Sequence, residues 1–208
     1  MNEERLGMLL DLSVCVGCNA CVVACKEENN IPLGKRNTWI ESWDVLSDDG
    51  VRRANVPKLC NHCEDAPCVQ VCPTGASFFA ENGTVQVDAD KCIGCKYCMA
   101  ACPYSVRWCD EETGVVHKCT FCHHRTENGL APACVSTCIT GARVFGDMND
   151  PESEISKRLT EANGGDVLLA DLGLDTSVRY VGLVETESMQ VASAVHRGGK
   201  VFKPYAGR

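Results

Sequence analysis

Sixteen of the seventeen cysteines in this 208-residue chain fall into four groups of four, a density and spacing that point first to metal ligation. The first group is Cys15, Cys18, Cys21 and Cys25, spaced C-x-x-C-x-x-C-x-x-x-C. The third, Cys92, Cys95, Cys98 and Cys102, repeats that spacing and is followed by Pro103. The second is Cys60, Cys63, Cys68 and Cys72, followed by Pro73, and the fourth is Cys119, Cys122, Cys134 and Cys138, with a longer middle gap. Only Cys109 is left over. Three thiolates two residues apart wrap one iron–sulfur cube, because the loop between them turns tightly enough to aim every sulfur inward. Gly17 and Gly94 relieve the crowding of such a turn. The fourth cysteine, one helical turn further on, faces the other way and ligates the neighbouring cluster of a pair. Four groups therefore predict four 4Fe–4S clusters in two linked pairs.

Other uses of these thiols fit less well. An isolated C-x-x-C pair ordinarily means structural zinc, but zinc sites take four ligands in two pairs and have no use for a third evenly spaced cysteine and a displaced fourth. Cys119-Thr120-Phe121-Cys122-His123 has the form of a haem-attachment signature. The corresponding stretch Cys60-Asn61-His62-Cys63-Glu64 lacks the axial histidine, and haem there would orphan Cys134, Cys138 and Cys25. A disulfide framework is disfavoured by the odd cysteine count and by the N-terminus. Met1-Asn2-Glu3-Glu4-Arg5 carries acid where a secretory leader carries a basic and then an apolar region.

The four groups are related by an internal repeat. Val14-Cys15-Val16-Gly17-Cys18 echoes Lys91-Cys92-Ile93-Gly94-Cys95, and Cys72-Pro73-Thr74-Gly75-Ala76 echoes Cys138-Ile139-Thr140-Gly141-Ala142. Ala66-Pro67 and Ala131-Pro132 precede the third cysteine of their groups. The order is A-B-A′-B′, a duplicated unit.

Hydrophobic residues make up 45% of the chain, but about 37% once cysteine is set aside, and aromatics only 6%. So thin a core implies that bound metal helps hold the interior together. The formal charge of −8 argues against nucleic acid as a partner. No apolar run reaches the roughly 18 residues of a membrane helix; Val167 to Leu174 is broken by Asp171 and Gly173. The chain is expected neither to span a membrane nor to direct its own export.

The elements that must position the cysteines are short. A strand is expected over Leu6 to Leu12 and a helix over Asn19 to Asn29. Hairpins are expected from Trp39–Leu46 to Val51–Val56 around Ser47-Asp48-Asp49-Gly50, and from Ser77-Phe78-Phe79 to Thr84–Val87 around Glu81-Asn82-Gly83. A third runs from Val106–Cys109 to Val115–His117. Short helices should begin after Cys68, Cys95, Cys119 and Pro132. Further on, Asp150 reads as an N-cap with Pro151 at the first helical position, the helix ending at Thr160 or Glu161. Ser177 to Val184 alternates like a strand, and His196 to Arg208 forms a basic tail. Residues 1–148 thus form the duplicated region with all four groups, and 149–208 a C-terminal helix, strand and tail that pack on the core or on a partner.

The four groups, the Cys-Pro-Thr-Gly-Ala and Lys-Cys-Thr-Phe-Cys runs, and Asp150-Pro151-Glu152-Ser153 resemble the four-cluster electron-transfer subunits of molybdopterin oxidoreductases of the dimethyl sulfoxide reductase family. Polysulfide, thiosulfate and arsenate reductases are the nearest types, and the likeness covers about residues 5–160. It implies an α+β fold of duplicated bacterial-ferredoxin-like modules, loop-rich, with short helices and β-hairpins around four Fe–S clusters. It also implies a ligand arrangement that spacing alone leaves open, since neighbouring groups could pair instead. One cluster would take Cys15, Cys18, Cys21 and Cys138; a second Cys119, Cys122, Cys134 and Cys25; a third Cys60, Cys63, Cys68 and Cys102; a fourth Cys92, Cys95, Cys98 and Cys72. Some relatives put tryptophan at the second cysteine of the third group and hold a 3Fe cluster. Cys95 stands there in this chain. Lys26 and Ile139 replace the proline that follows the last cysteine of a group, which alters local shape but not ligation.

The implied role is electron transfer without catalysis: single electrons pass through four 4Fe–4S clusters between a molybdopterin subunit, facing the first cluster, and a quinone-linked membrane subunit, facing the fourth. Nothing outside the ligands assembles a nucleophile, an acid–base pair or an open metal site. The same wire could serve a nickel–iron hydrogenase or a formate-oxidising complex, and the remaining reading is a zinc-stabilised interaction module. The complex is expected at the outer membrane face, co-exported with a partner, with the cytoplasmic side as the alternative. Each oxidised cluster with its thiolates carries about −2. Lys26, Lys91, Lys96, Arg107 and Lys118 stand beside ligands and could offset that charge, against the ordinary reading of solvated surface cations. Trp39, Trp43 and Trp108 read as packing, Cys109 as a buried free thiol, and His123-His124 as a polar face.

Overall fold

A computed structural model describes residues 4–47 and 50–183. Within them lie nine strands and six helices, most of them four residues or shorter. The centre is a three-stranded sheet. Strand β1 (Leu6–Asp11) pairs antiparallel with β8 (Arg143–Asp147) and parallel with β9 (Val178–Val181). Met8, Leu9 and Leu10 of β1 are all buried, because the sheet is covered on both faces and successive side chains point to opposite sides. Met8 and Leu10 join Val56, Leu59, Phe121, Val178 and Tyr180 on one side, and Leu9 joins Val144, Ile155 and Leu159 on the other.

The long hairpin β2 (Thr38–Ser47) and β3 (Gly50–Leu59) lies against the first side. Its strands run further than the sequence suggests, and Asp48 and Asp49 of its turn lie outside the described residues. The Tyr180 hydroxyl, fully buried, donates to the Pro57 carbonyl at 3.0 Å and ties sheet to hairpin. Two smaller hairpins fall where the turn signals place them: β4 (Ser77–Phe79) with β5 (Val85–Val87), and β6 (Trp108–Cys109) with β7 (Val116–His117).

Helix α1 (Ala20–Glu28) follows the first cysteine loop. The one-turn helices α2 (Pro67–Gln70), α3 (Tyr97–Ala100), α4 (His123–Thr126) and α5 (Ala133–Ser136) belong to the other three groups. The first of these opens at Pro67, one residue before Cys68 rather than after it, since the fixed φ of proline suits the first helical position. Helix α6 (Glu154–Glu161) corrects the expected cap. Ser153, not Asp150, closes the N-terminus, its Oγ accepting the Ser156 N–H at 3.2 Å. The Asp150 carboxylate instead accepts the Glu152 N–H at 2.9 Å in a turn before the helix. Strand β9 stops at Val181 ahead of Gly182; Val184 and the basic tail from His196 to Arg208 lie outside the described residues.

Candidate metal centre

Repeated sequence has produced repeated backbone. In the first and third cysteine loops, Gly17 and Gly94 take φ of +68° and +66°, and Asn19 and Lys96 take left-handed conformations just before α1 and α3. A Cβ at Gly94 would stand 2.5 Å from the Gly114 carbonyl oxygen, and one at Gly17 2.7 Å from Asn55 Oδ1. Asn55, on β3, also donates to the Cys15 carbonyl at 3.1 Å, so the hairpin clamps the first loop. In the second and fourth groups the equivalent residues His62 and Phe121 both have positive φ and stack on each other, with centroids 3.8 Å apart.

All seventeen cysteines are free. One small cavity is lined by Cys72, Cys92, Cys95 and Cys98, and another by Cys25, Cys119, Cys122 and Cys134. The other sites show their neighbours through charge. Burial pushes the Cys63 thiol up to about 12, and Cys60, Cys68 and Cys102 push it the same way. Burial likewise raises Cys15, with Cys21 and Cys138 adding to it, while Cys18 of the same loop is exposed. Cys25, also pushed by burial to about 12, feels Cys134 and Cys122. Burial drives Cys119 up too, and Cys25, Cys134 and Cys60 add to it, which places the second and fourth groups side by side.

Cys21 and Cys25 do not face opposite ways. Four residues apart on α1, they are both buried on one side of the helix, displaced by about 6 Å along its axis. That displacement is enough for one helix to serve two neighbouring sites.

Donor chemistry suits iron–sulfur clusters. Buried thiols are neutral by preference, and a bound cation is what makes a buried sulfur a thiolate. N–H groups already point at the sulfurs: Ser77 N to Cys72 Sγ at 3.3 Å and Phe121 N to Cys119 Sγ at 3.4 Å.

The cations beside ligands divide sharply. Lys91 turns outward to Asp88 at 2.8 Å, and Lys26 spends its ammonium on the Pro32 and Lys35 carbonyls. Arg107 and Lys118 are buried. The Arg107 Nη2 donates to Cys68 Sγ at 2.8 Å and to Ser77 Oγ at 3.0 Å, and Lys118 Nζ donates to the Val85 and Cys119 carbonyls. Sequence reasoning missed Arg143, which is 3% exposed and lies among Cys134, Cys21 and Cys119. Its place five residues after Cys138 matches Ser77 in the second group, but it is also the place Arg107 holds after Cys102, the one signal that could have found it.

Cys109 is half-buried rather than buried; its thiol donates to the Gly114 and Asp110 carbonyls. Trp39 and Trp43 pack against the core, and Trp108 stacks on His117 at 4.7 Å. His124 pairs with Glu28 and His123 with Glu127. No helix among the described residues is long and apolar enough to cross a membrane.

Two family models, each described as a 4Fe-4S dicluster domain, match residues 51–148 and 14–76. A tetrathionate reductase subunit of Salmonella typhimurium is 45% identical over 184 residues, 87% of this chain and 74% of the relative. A polysulfide reductase chain of Wolinella succinogenes is 44% identical over 159 residues, 75% of this chain and 83% of the relative. The thiosulfate reductase electron transfer subunit of Salmonella typhi is 47% identical over 173 residues, 78% of this chain and 89% of the relative. Cysteine spacing, the sulfur-lined cavities and these likenesses agree that the chain belongs to the ferredoxin-like 4Fe–4S electron-transfer subunits of the molybdopterin oxidoreductase (dimethyl sulfoxide reductase) family, and that its role is non-catalytic.

Proposed function

We propose that this chain holds four 4Fe–4S clusters in a line and relays single electrons between a molybdopterin catalytic subunit and a quinone-linked membrane subunit or other redox partner. The observation that carries this reading is the mixed lining of the two cavities. Each draws three cysteines from one group and a fourth from another: Cys92, Cys95 and Cys98 with Cys72, and Cys119, Cys122 and Cys134 with Cys25. The same rule gives the remaining sets, Cys15, Cys18 and Cys21 with Cys138, and Cys60, Cys63 and Cys68 with Cys102. Residues 1–148 supply every ligand, and Leu168, Val178 and Tyr180 of the described residues beyond 148 pack into the same core.

When bound, such clusters supply reversible one-electron chemistry. The chain's own residues hold the sulfurs, exclude water and set the local charge. Nearness of Cys60 to Cys119 joins the two halves in the middle of the line. At its ends Cys18 and Cys95 are exposed, beside the exposed Val16, Ile139, Ile93 and Tyr97. An apolar rim around an exposed ligand suits the approach of a partner subunit at each end. The complex is peripheral to a membrane, and we place it on the outer face, co-exported with its partner.

Metal analysis of the native complex, captured anaerobically through a tag on this chain, tests the partner. Molybdenum or tungsten beside abundant iron supports the reading. Nickel instead would put the chain in a hydrogenase, and iron with neither would refute the proposed partner.

A further inference from the structure

Each half of the molecule buries one arginine between two sets of cysteines. Arg107, five residues after Cys102 and 6% exposed, donates from Nη2 to Cys68 Sγ at 2.8 Å. The same side chain lines the cavity of Cys72, Cys92, Cys95 and Cys98, where its charge and a hydrogen bond act on Cys98. It therefore touches the third and the fourth set at once. Arg107 Nη1 is buried without an acceptor. Arg143, five residues after Cys138, stands in the other half. It is 3% exposed, hydrogen-bonds Cys134 of the second set and reaches Met8 Sδ at 3.7 Å from Nη1. Its charge also acts on Cys21 and Cys15 of the first set and on Cys119 and Cys25 of the second. A hydroxyl orients each guanidinium, Ser77 for Arg107 at 3.0 Å and Thr38 for Arg143 at 3.1 Å.

A buried guanidinium needs a negative partner, since removing a cation from water is costly. Among the described residues neither arginine pairs with a carboxylate, and for each the nearby negative groups are chiefly the cysteines themselves. Two neighbouring clusters with their thiolates bring about −4 to each half. One arginine per half is then a shared counter-charge. Because reduction adds an electron, a fixed positive charge favours the reduced state of both neighbours.

We propose that Arg107 and Arg143 are the potential-setting residues of this subunit, each raising the reduction potentials of the two clusters it lies between. The proposal rests on the four-cluster reading. It makes the potentials separable in pairs: Arg107 acts on the third and fourth sites, Arg143 on the first and second.

The test is an anaerobic potentiometric titration of the native complex, followed by electron paramagnetic resonance, for R107Q, R107K and R143Q. Iron and sulfide are measured first. In R107Q the reduced-to-oxidised ratio of two clusters at fixed potential should fall at least tenfold, about 59 mV for one electron, with the other two unmoved. R107K should keep those two within about threefold of the parent, and R143Q should move the complementary pair. Iron-replete R107Q with all four potentials unmoved, or moved together, overturns the proposal. So does an iron-replete R107K that shifts as far as R107Q. Should R107Q shed iron, R143Q decides by the same criterion, and loss of iron from both would mean that the arginines are structural. Absence of clusters from the parent complex would overturn the four-cluster reading instead.

Discussion

Gly94 and Gly75 separate two effects that usually arrive together. Both sit in cysteine loops with nearly the same left-handed backbone, φ of +66° and +67°. A Cβ at Gly75 would meet nothing within 4 Å, whereas one at Gly94 would stand 2.5 Å from the Gly114 carbonyl oxygen. Gly75→Ala should therefore cost only the left-handed strain, about 1–2 kcal/mol. Gly94→Ala adds a clash with backbone, which cannot rotate away as a side-chain tip can. Overpacking of this kind costs about 1–3 kcal/mol more. At about 1.4 kcal/mol per tenfold, that difference is about five- to 150-fold in the fraction of molecules open at the loop. The assay is anaerobic iron release to a chelator, under conditions where release follows the open population. Gly94→Ala should lose iron faster than Gly75→Ala by that factor. Equal rates within twofold would refute the reasoning, because the close approach of Gly114 would then not constrain the third cysteine loop.

Other outcomes follow from the same contacts. Ser153→Ala removes the α6 cap and should cost about 1 kcal/mol, seen as about fivefold faster exchange of the Ser156 amide. Ile155 is fully buried against Leu9, Val144 and Leu159, so Ile155→Ala should lower stability by about 2–5 kcal/mol in an anaerobic guanidinium titration. Glu28 bridges α1 to His124 and Arg125 of α4, and chiefly the His124 hydrogen bond holds its carboxyl below the usual 4.5. A depressed carboxylate contributes fully above its unfolded value and loses that contribution as pH falls through its folded value. Exchange at the α4 amides should thus rise in acid in the parent relative to neutral pH, after correction for intrinsic rates, and Glu28→Gln should flatten that rise.

What was legible in the sequence is what short-range chemistry dictates. The unbroken run Met8-Leu9-Leu10 marks a strand buried on both faces, and Asn82-Gly83 marks a turn; both stand where local rules place them. The cysteine repeat also predicts repeated backbone, down to matching φ at Gly17 and Gly94. Competition between adjacent local signals was harder to read. Asp150 and Ser153 are both good caps, and the serine prevails because its hydroxyl also donates to the Asp147 carbonyl at 2.7 Å, anchoring the helix start to the sheet. Hardest were the charges. Lys91 adjoins Cys92 in sequence yet turns to Asp88, while Arg143 is remote from most of the cysteines it approaches. Its position depends on β8 pairing with β1, a contact spanning most of the chain, which no spacing rule encodes.

Everything proposed for this chain depends on each of the four cysteine sets holding a cluster. Iron and acid-labile sulfide, counted together on the anaerobically purified complex and corrected for metal held by its other subunits, test it most directly. Four filled sets give about sixteen of each per chain. Iron and sulfide near zero with stoichiometric zinc would contradict it outright, and about eight of each would mean that only half of the cysteine sets hold a cluster.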